Sequence, residues 1–359
     1  MFEYLFFLSS GLFLGWSLGA NDASNIFGTA VGTKMLRFTT AAVIACIFLV
    51  LGAVVSGQNT AETLNALGEV NTLPAAFTVS LSSALAVLMM LKSGISVSIS
   101  QAIVGGIIGW NVYNHKPTDT DTLANICASW ILCPVISGAI AVLLYICVKK
   151  ILHHSKVHIL WQDMAVRAGM VLTTALGGFA LGANNMANVV GVFIDSNVFE
   201  PLKIGRMYTL SGIQVLFLLG AVAACVGVFT YSQKAIKTVG KNVLSFSPMV
   251  AWIVILSQSL VLILFSSETL EHFLISLNLP PLPAVPVSST QAVIGAIVGI
   301  GLVKGGKGIK WSLVLRVVSG WVASPVIAFV LSFISLFFME NVFKQTIYVP
   351  CAGLVRSGI

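Results

Sequence analysis

The sequence predicts an all-α polytopic membrane protein with about ten crossings, two of them broken or re-entrant hairpins, built as an inverted-topology repeat. Three observations predict it. Of 359 residues, 57% are hydrophobic and only 9% charged, with mean hydropathy +0.98, whereas a soluble chain carries roughly 25% charged residues. The apolar residues fall in runs close to the ~20 residues that a helix needs to cross lipid. Three motifs recur, in the same order, in the second half. The composition excludes a soluble enzyme and a disordered chain. An outer-membrane barrel is excluded because its strands would alternate polar and apolar residues.

The runs, in order, are about 4–33, 38–57, 75–91, 123–148, 168–194, 207–231, 249–266 and 312–337. The first is read as a span and not a cleaved leader, because Glu3 and no Lys or Arg precedes it. Two shorter segments, about 101–112 and 291–303, follow Ser96-Val-Ser-Ile-Ser100 and Ser288-Ser-Thr290. Apolar stretches that short read as re-entrant or broken. Lys149–Arg167 is the longest polar connector and divides the chain into a first repeat, 1–155, a second, 160–340, and a tail, 341–359. His153, His154 and His158 lie there, with no carboxylate or Cys spaced to complete a metal shell. Five of the six cysteines sit in apolar runs and none forms a CxxC pair, so neither a disulfide nor a metal site is expected.

Gly15-Trp-Ser-Leu-Gly-Ala-Asn-Asp-Ala-Ser-Asn25 matches Gly178-Phe-Ala-Leu-Gly-Ala-Asn-Asn-Met-Ala-Asn188. Ser98–Gly109 matches Ser288–Gly299 through Gln-Ala and the glycines, and Trp130-Ile-Leu-Cys-Pro-Val-Ile136 matches Trp321-Val-Ala-Ser-Pro-Val-Ile327. The offsets are 163, 190 and 191. Five crossings per half, an odd number, turn the second copy over, as in many secondary transporters. Of the 19 Lys and Arg residues, 13 fall on the side of Lys34–Arg37 and 5 on the other. The positive-inside rule makes the first side cytoplasmic and places both termini outside. The net charge of +7 belongs to those loops, and no aromatic–basic interleaving suggests nucleic acid.

Of twelve acidic residues, only Asp22 lies deep in an apolar run. A carboxylate at the membrane centre costs about 2.5–3.5 kcal/mol on insertion scales, so it marks a functional site. Asn21, Asp22 and Asn25 share a helix face or surround a break in it, and Gly19 is expected to let the helix open there. Freed carbonyls with Asp and Asn oxygens are hard ligands for a small cation. The second copy supplies Asn184, Asn185 and Asn188. Short helices starting at Gln101 and Gln291, with Ser100 and Thr290 as N-caps, would bring two positive helix ends to one cavity. That makes an anion site without Lys or Arg, lined by Ser98, Ser100, Gln101, Ser288, Ser289, Thr290 and Gln291, with Asn25 and Asn188 beside them. A cation site touching an anion site is the layout of a cation-coupled anion symporter. Broken helices with paired sites favour a carrier over a channel. No second acid, Ser/Lys pair or metal set for an intramembrane enzyme is visible.

Gly19-Ala-Asn-Asp-Ala-Ser-Asn25 with Phe27-Gly-Thr-Ala-Val-Gly32, its copy from Gly182, and the paired Ser/Thr-Gln-Ala segments resemble the signature of the PiT family of inorganic phosphate transporters. The resemblance covers essentially the whole chain. It implies a multi-pass protein of the cell membrane that imports phosphate by symport with sodium or, in some bacterial members, protons, with metal–phosphate a further substrate form. It implies sodium as coupling ion with no cofactor, signature residues at the cation and phosphate sites, and Gln-containing hairpin tips holding phosphate. A homodimer is left open, and sulfate is the runner-up anion. The chain departs from the family at Asn185, where many members have Asp, so Asp22 alone remains titratable.

Overall fold

The computed structural model describes residues 2–155, 158–197, 199–204, 208–233, 236, 247–278, 282–306 and 309–350. Among the Lys, Arg and Cys residues counted above, Lys156, Arg206, Lys234, Lys237, Lys241, Lys307, Cys351 and Arg356 lie outside the described residues. Helix α1 is Phe2–Gly32 and α2 is Phe38–Ser56, continued by a 3-10 turn, Gly57–Thr60, into α3, Ala61–Leu67. Then come α4, Leu73–Lys92; α5, Ile99–Tyr113; and α6, Thr120–Ser155. The second half opens with α7, Ile159–Asn185; α8, Ala187–Val190; and a 3-10 turn, Gly191–Phe193. It closes with α9, Gly212–Thr230; α10, Pro248–Leu264; α11, Glu268–Ser276; α12, Ser289–Val303; and α13, Trp311–Asn341.

Two details differ from the sequence reading. The segment before α9 is not helical: Leu202–Ile204 and Tyr208–Leu210 pair as a small antiparallel hairpin. Helix α9 starts only where Ser211 and Gln214 form a reciprocal capping box, which fixes the start by satisfying two orphan donors. The run 249–266 also does not end in a loop. Helix α10 bends by 69° into α11 across Phe265–Ser267.

Among the described residues, six helices or continuous helix pairs are long and apolar enough to cross a membrane: Phe38–Leu67, Leu73–Lys92, Thr120–His154, Ile159–Phe193, Gly212–Thr230 and Trp311–Asn341. The bent α10–α11 pair makes a seventh. Helix α1 has 31 residues, about 46 Å at 1.5 Å per residue, but carries the polar Asn21–Asn25 stretch. The count of ten crossings is not established by these elements.

The two halves are interlocked. Helix α1 packs on α9, and its repeat mate α7 packs on α2; α5 packs on α13, and α12 on α6. Matched glycines allow each crossing. A Cβ on Gly19 would strike Ala224 O, and one on Gly182 would strike Leu49 O. Likewise Gly105 meets Pro325 O and Gly295 meets Pro134 O. These crossings are matched in pairs between the two halves. The expected opening of the helix at Gly19 does not occur: α1 runs unbroken, and Gly19 serves the close approach to α9 instead. Overpacking ordinarily costs about 1–3 kcal/mol, and here the obstacle is backbone. Gly19→Leu and Gly182→Leu should each lose most of the monodisperse protein on size exclusion in detergent. Gly32→Leu should not, because a Cβ there meets nothing within 4 Å.

Candidate cation and anion site

The spacing of the first signature puts Asp22, Asn25 and Thr29 on one stripe of α1 at i, i+3 and i+7. Asp22 is 2% exposed. Its Oδ1 accepts from Asn21 Nδ2 at 2.7 Å and from Asn25 Nδ2 at 3.4 Å. Asn21 Nδ2 also donates to Val97 O at 2.9 Å, in the extended lead-in to α5. Asn25 Nδ2 reaches across to α12, to Ser289 Oγ at 3.0 Å and Thr290 Oγ1 at 3.1 Å. One amide therefore joins the buried carboxylate to the start of the other half's short helix.

The second signature behaves differently at its end. Helix α7 stops at Asn185, Met186 intervenes, and α8 resumes at Ala187. Met186 keeps helical dihedrals (φ −72, ψ −24), so the chain runs on into α8 without a bend, and the opening expected in the first copy is not found in the second either. Asn188 Nδ2 donates to Ser100 Oγ at 2.9 Å, the mirror of Asn25 on Thr290. Asn185 Nδ2 donates to Val287 O at 3.1 Å. The Oδ1 atoms of Asn185 and Asn188 are buried with no partner. Asn184 spends both amide atoms on backbone: Nδ2 on Leu262 O and Val285 O, and Oδ1 on Val287 N at 2.8 Å. It is a clamp holding the segment before α12 rather than a free ligand.

The short helices start earlier than the sequence reading placed them. The N-caps are Ser98 and Ser288, not Ser100 and Thr290, and the helices begin at Ile99 and Ser289. Ser98 Oγ accepts from Gln101 N at 3.2 Å and Ser288 Oγ from Gln291 N at 3.3 Å. In a run of hydroxyls the cap is the residue whose backbone is still extended, and Ser98 (φ −92, ψ 116) and Ser288 (φ −87, ψ 118) meet that condition. Ser100 and Thr290 lie in the first turn and tie the two tips together. Ser100 Oγ donates to Val287 O and Thr290 Oγ1 to Val97 O, both at 3.3 Å. The side-chain amide oxygens of Gln101 and Gln291 are buried without a partner.

All thirteen predicted site residues are therefore buried, at most 8% exposed, and converge where α1, α5, α7 and α12 meet. The network named here contains one carboxylate and no Lys or Arg. Two residues were missed. Ser96 Oγ donates to Asn21 Oδ1 at 3.1 Å; its place in the Ser96–Ser100 alternation was the available signal. Gln258 is the other, fully buried with both amide atoms unpartnered; an amide in the middle of an apolar run should have drawn attention.

The profile described as "Phosphate transporter family" matches residues 18–169, 162–271 and 275–355. A Methanocaldococcus jannaschii protein named "Putative phosphate permease" is 27% identical over 322 residues, covering 90% of this chain and 93% of its own. A Haemophilus influenzae protein of the same name is 23% identical, over 88% of this chain and 91% of its own. A solved structure described as "The sodium-dependent phosphate transporter" superposes with TM-score 0.72 at 20% identity, over 94% of this chain and 100% of that one. That likeness shows a shared fold. With the family profile matched over nearly its whole length, and with several apolar helices of spanning length, this multi-pass chain is a transporter and not an enzyme, and it belongs to the phosphate transporter family.

Proposed function

We propose that the chain imports inorganic phosphate across the cell membrane by symport with sodium, alternating access around the junction of α1, α5, α7 and α12. The observation that carries this reading is Asn25, whose amide touches Asp22 on one side and Ser289 and Thr290 at the start of α12 on the other. A cation held by Asn21, Asp22 and Asn25 would adjoin an anion held by the two helix starts. The second-copy oxygens of Asn185 and Asn188 are the matching cation-facing groups. Phosphate falls to Ser100, Gln101, Ser289, Thr290 and Gln291, with Asn25 and Asn188 between the ions. Ser98 and Ser288 act through the helix starts they cap. Each helix start directs free N–H groups and a positive dipole end at an anion.

Coupling follows from electrostatics. Sodium beside Asp22 cancels the repulsion that the carboxylate would exert on phosphate, so each ion favours the other by the same factor. Sodium is the coupling ion and no cofactor takes part. The structural relative is a sodium-dependent phosphate transporter, which supports the same choice. Uptake of radiolabelled phosphate into proteoliposomes tests it. A sodium gradient should drive uptake, and a proton gradient alone should not. The reverse result would make the carrier proton-coupled, and labelled sulfate taken up in place of phosphate would overturn the substrate.

The two halves, 1–155 and 160–340, are proposed as oppositely oriented copies, with both termini outside. A cysteine placed at residue 65, in α3, should react with an impermeant thiol reagent added outside. One placed near residue 240, outside the described residues, should not. The opposite labelling would reverse the orientation.

A further inference from the structure

Between α6, α12 and α13 lies a groove of about 560 Å³, lined by Gly138, Val142, Val298, Leu302, Val318, Trp321 and further apolar residues and glycines. Helices α6 and α13 are of spanning length, and Leu302 and Val318 are exposed, so the groove opens onto the bilayer. Along α12 it runs from Ile294 to Val303, about 14 Å at 1.5 Å per residue. That is close to half of the ~30 Å hydrocarbon core, the depth of one leaflet. Spread over that length, the volume gives a cross-section of about 40 Å². An α-helix with its side chains is about 10–12 Å across, too wide to seat there, whereas an extended hydrocarbon chain fits.

The repeat supplies an internal comparison. In the first half the same place lies between α5, α13 and α6. Gly138 and Val142 correspond there to Phe329 and Phe333 at the offset of 191, and Val303 corresponds to Tyr113 at the offset of 190. Phe329 and Phe333 stack with centroids 6.4 Å apart, and Tyr113 meets Phe333 edge-on at 5.4 Å. Three rings thus occupy the volume that a glycine and two valines leave open on the other side.

The charges at the two mouths differ as well. Each helix lining the open groove has lysine at the same end. On α6, Lys149 continues the stripe of Val135 and Val142, two turns beyond Val142. Lys304 follows the last residue of α12, and its Nζ lies 5.2 Å from the centre of the Tyr145 ring, over the α6–α12 junction. Lys310 precedes α13. Among the described residues none of the three is ion-paired. Their counterparts at the filled mouth are Glu340, Asn114 and Asp119, and Glu340 accepts from the Tyr113 hydroxyl at 2.6 Å.

We propose that the groove seats one acyl chain of an anionic phospholipid from the leaflet on the Lys149 side, with its head group held by Lys149, Lys304 and Lys310. The chain supplies the packing contacts that an empty groove forfeits. Lysines at the ends of membrane helices attract anionic head groups. The counterpart place in the first half offers neither space nor lysine, so there is one such site per chain.

The site does not depend on the coupling ion, and its test measures lipid rather than transport. The full chain is reconstituted in phosphatidylcholine vesicles, and a rising share of the lipid is replaced by phosphatidylglycerol with brominated acyl chains, which quench tryptophan on contact. Brominated phosphatidylcholine is the comparison lipid. The signal of Trp321 is the difference between the unmodified chain and Trp321→Phe. Phosphatidylglycerol should quench it at a severalfold lower mole fraction than phosphatidylcholine. Each lysine near an anionic lipid strengthens binding roughly fivefold, so the double variant Lys149→Gln, Lys304→Gln should bring the two lipids close to equal. Val142→Phe, which installs the ring found in the first half, should remove the quenching by both; Ala139→Leu serves if that variant does not fold. Equal quenching by the two lipids in the unmodified chain overturns the anionic site. A phosphatidylglycerol preference that survives in the folded groove-filling variant, or after Trp321→Phe, overturns it too, because head groups would then gather on the lysines with no chain in the groove. Absence of Trp321 quenching by either lipid also overturns it, and a shift of Val142→Phe from dimer to monomer in light scattering would then assign the groove to a second copy.

Discussion

Asp22→Asn should fold and reach the membrane, and should lose sodium-driven phosphate uptake. Folding is expected to survive because Asp22 Oδ1 is used only as an acceptor, from Asn21 and Asn25. An asparagine oxygen can take both bonds at nearly the same volume. What disappears is the charge. Two unit charges 4 Å apart at an effective dielectric of 20 interact by about 4 kcal/mol. At 1.4 kcal/mol per decade that is roughly a thousandfold in sodium affinity. No other carboxylate can compensate, since the matching position of the second repeat is Asn185. At sodium concentrations that saturate the unmodified carrier, the variant would be almost empty of cation. Titrating sodium against the thermal stability of the purified variant isolates the binding step from transport. A variant that carries phosphate with unchanged sodium dependence would remove Asp22 from the mechanism. Asn185→Asp makes the complementary case. It adds a second charge beside an unpartnered oxygen, and should tighten sodium binding while opposing phosphate when sodium is scarce.

Much of this arrangement was legible before the structure, because the informative residues are polar ones that an apolar chain does not carry by accident. Asp22, the asparagines of both signatures and the two glutamines stood out against their runs, and duplication paired them. What the sequence could not supply was the third dimension of each signal. Gly19 suits a helix that opens and equally a helix that another backbone crosses. Only the position of Ala224 O decides, and nothing near Gly19 in the sequence encodes it. In Ser96–Ser100 every second residue is a hydroxyl, and which one caps depends on where the backbone turns from extended to helical. The 69° bend after α10 has no proline or paired glycine to announce it. Gln258 was passed over because an apolar run was read as one unit, and its complete burial with both amide atoms unpartnered is visible only in the packed helices.

Replacing either hairpin glutamine should weaken phosphate binding by roughly ten- to a hundredfold, and replacing both should cost less than the product. Gln101 and Gln291 occupy the same repeat position, three residues after the caps Ser98 and Ser288. Their backbone N–H groups are already satisfied by those caps at 3.2 and 3.3 Å. The side chains are therefore not needed to start the helices. Both are at most 3% exposed, and the group of each that can donate to an anion is the amide Nε2, since the oxygen only accepts. The two tips that carry them are already joined by Ser100 on Val287 O and Thr290 on Val97 O. A hydrogen bond to a charged group contributes about 1.5–3 kcal/mol, and each 1.4 kcal/mol is a decade in Kd. Gln101→Ala and Gln291→Ala should each show that loss in phosphate Kd measured at saturating sodium. Because both amides would act on one ligand, the double mutant should depart from additivity by more than the ~0.5 kcal/mol expected of independent sites. If the glutamines only supported the helix starts, the variants would instead give less folded protein, with phosphate affinity in that protein close to the unmodified value. Unchanged Kd in both single variants would move the anion away from the tips and onto the asparagines of α1 and α8, and the pairing of the two short helices would then need a purpose other than holding phosphate.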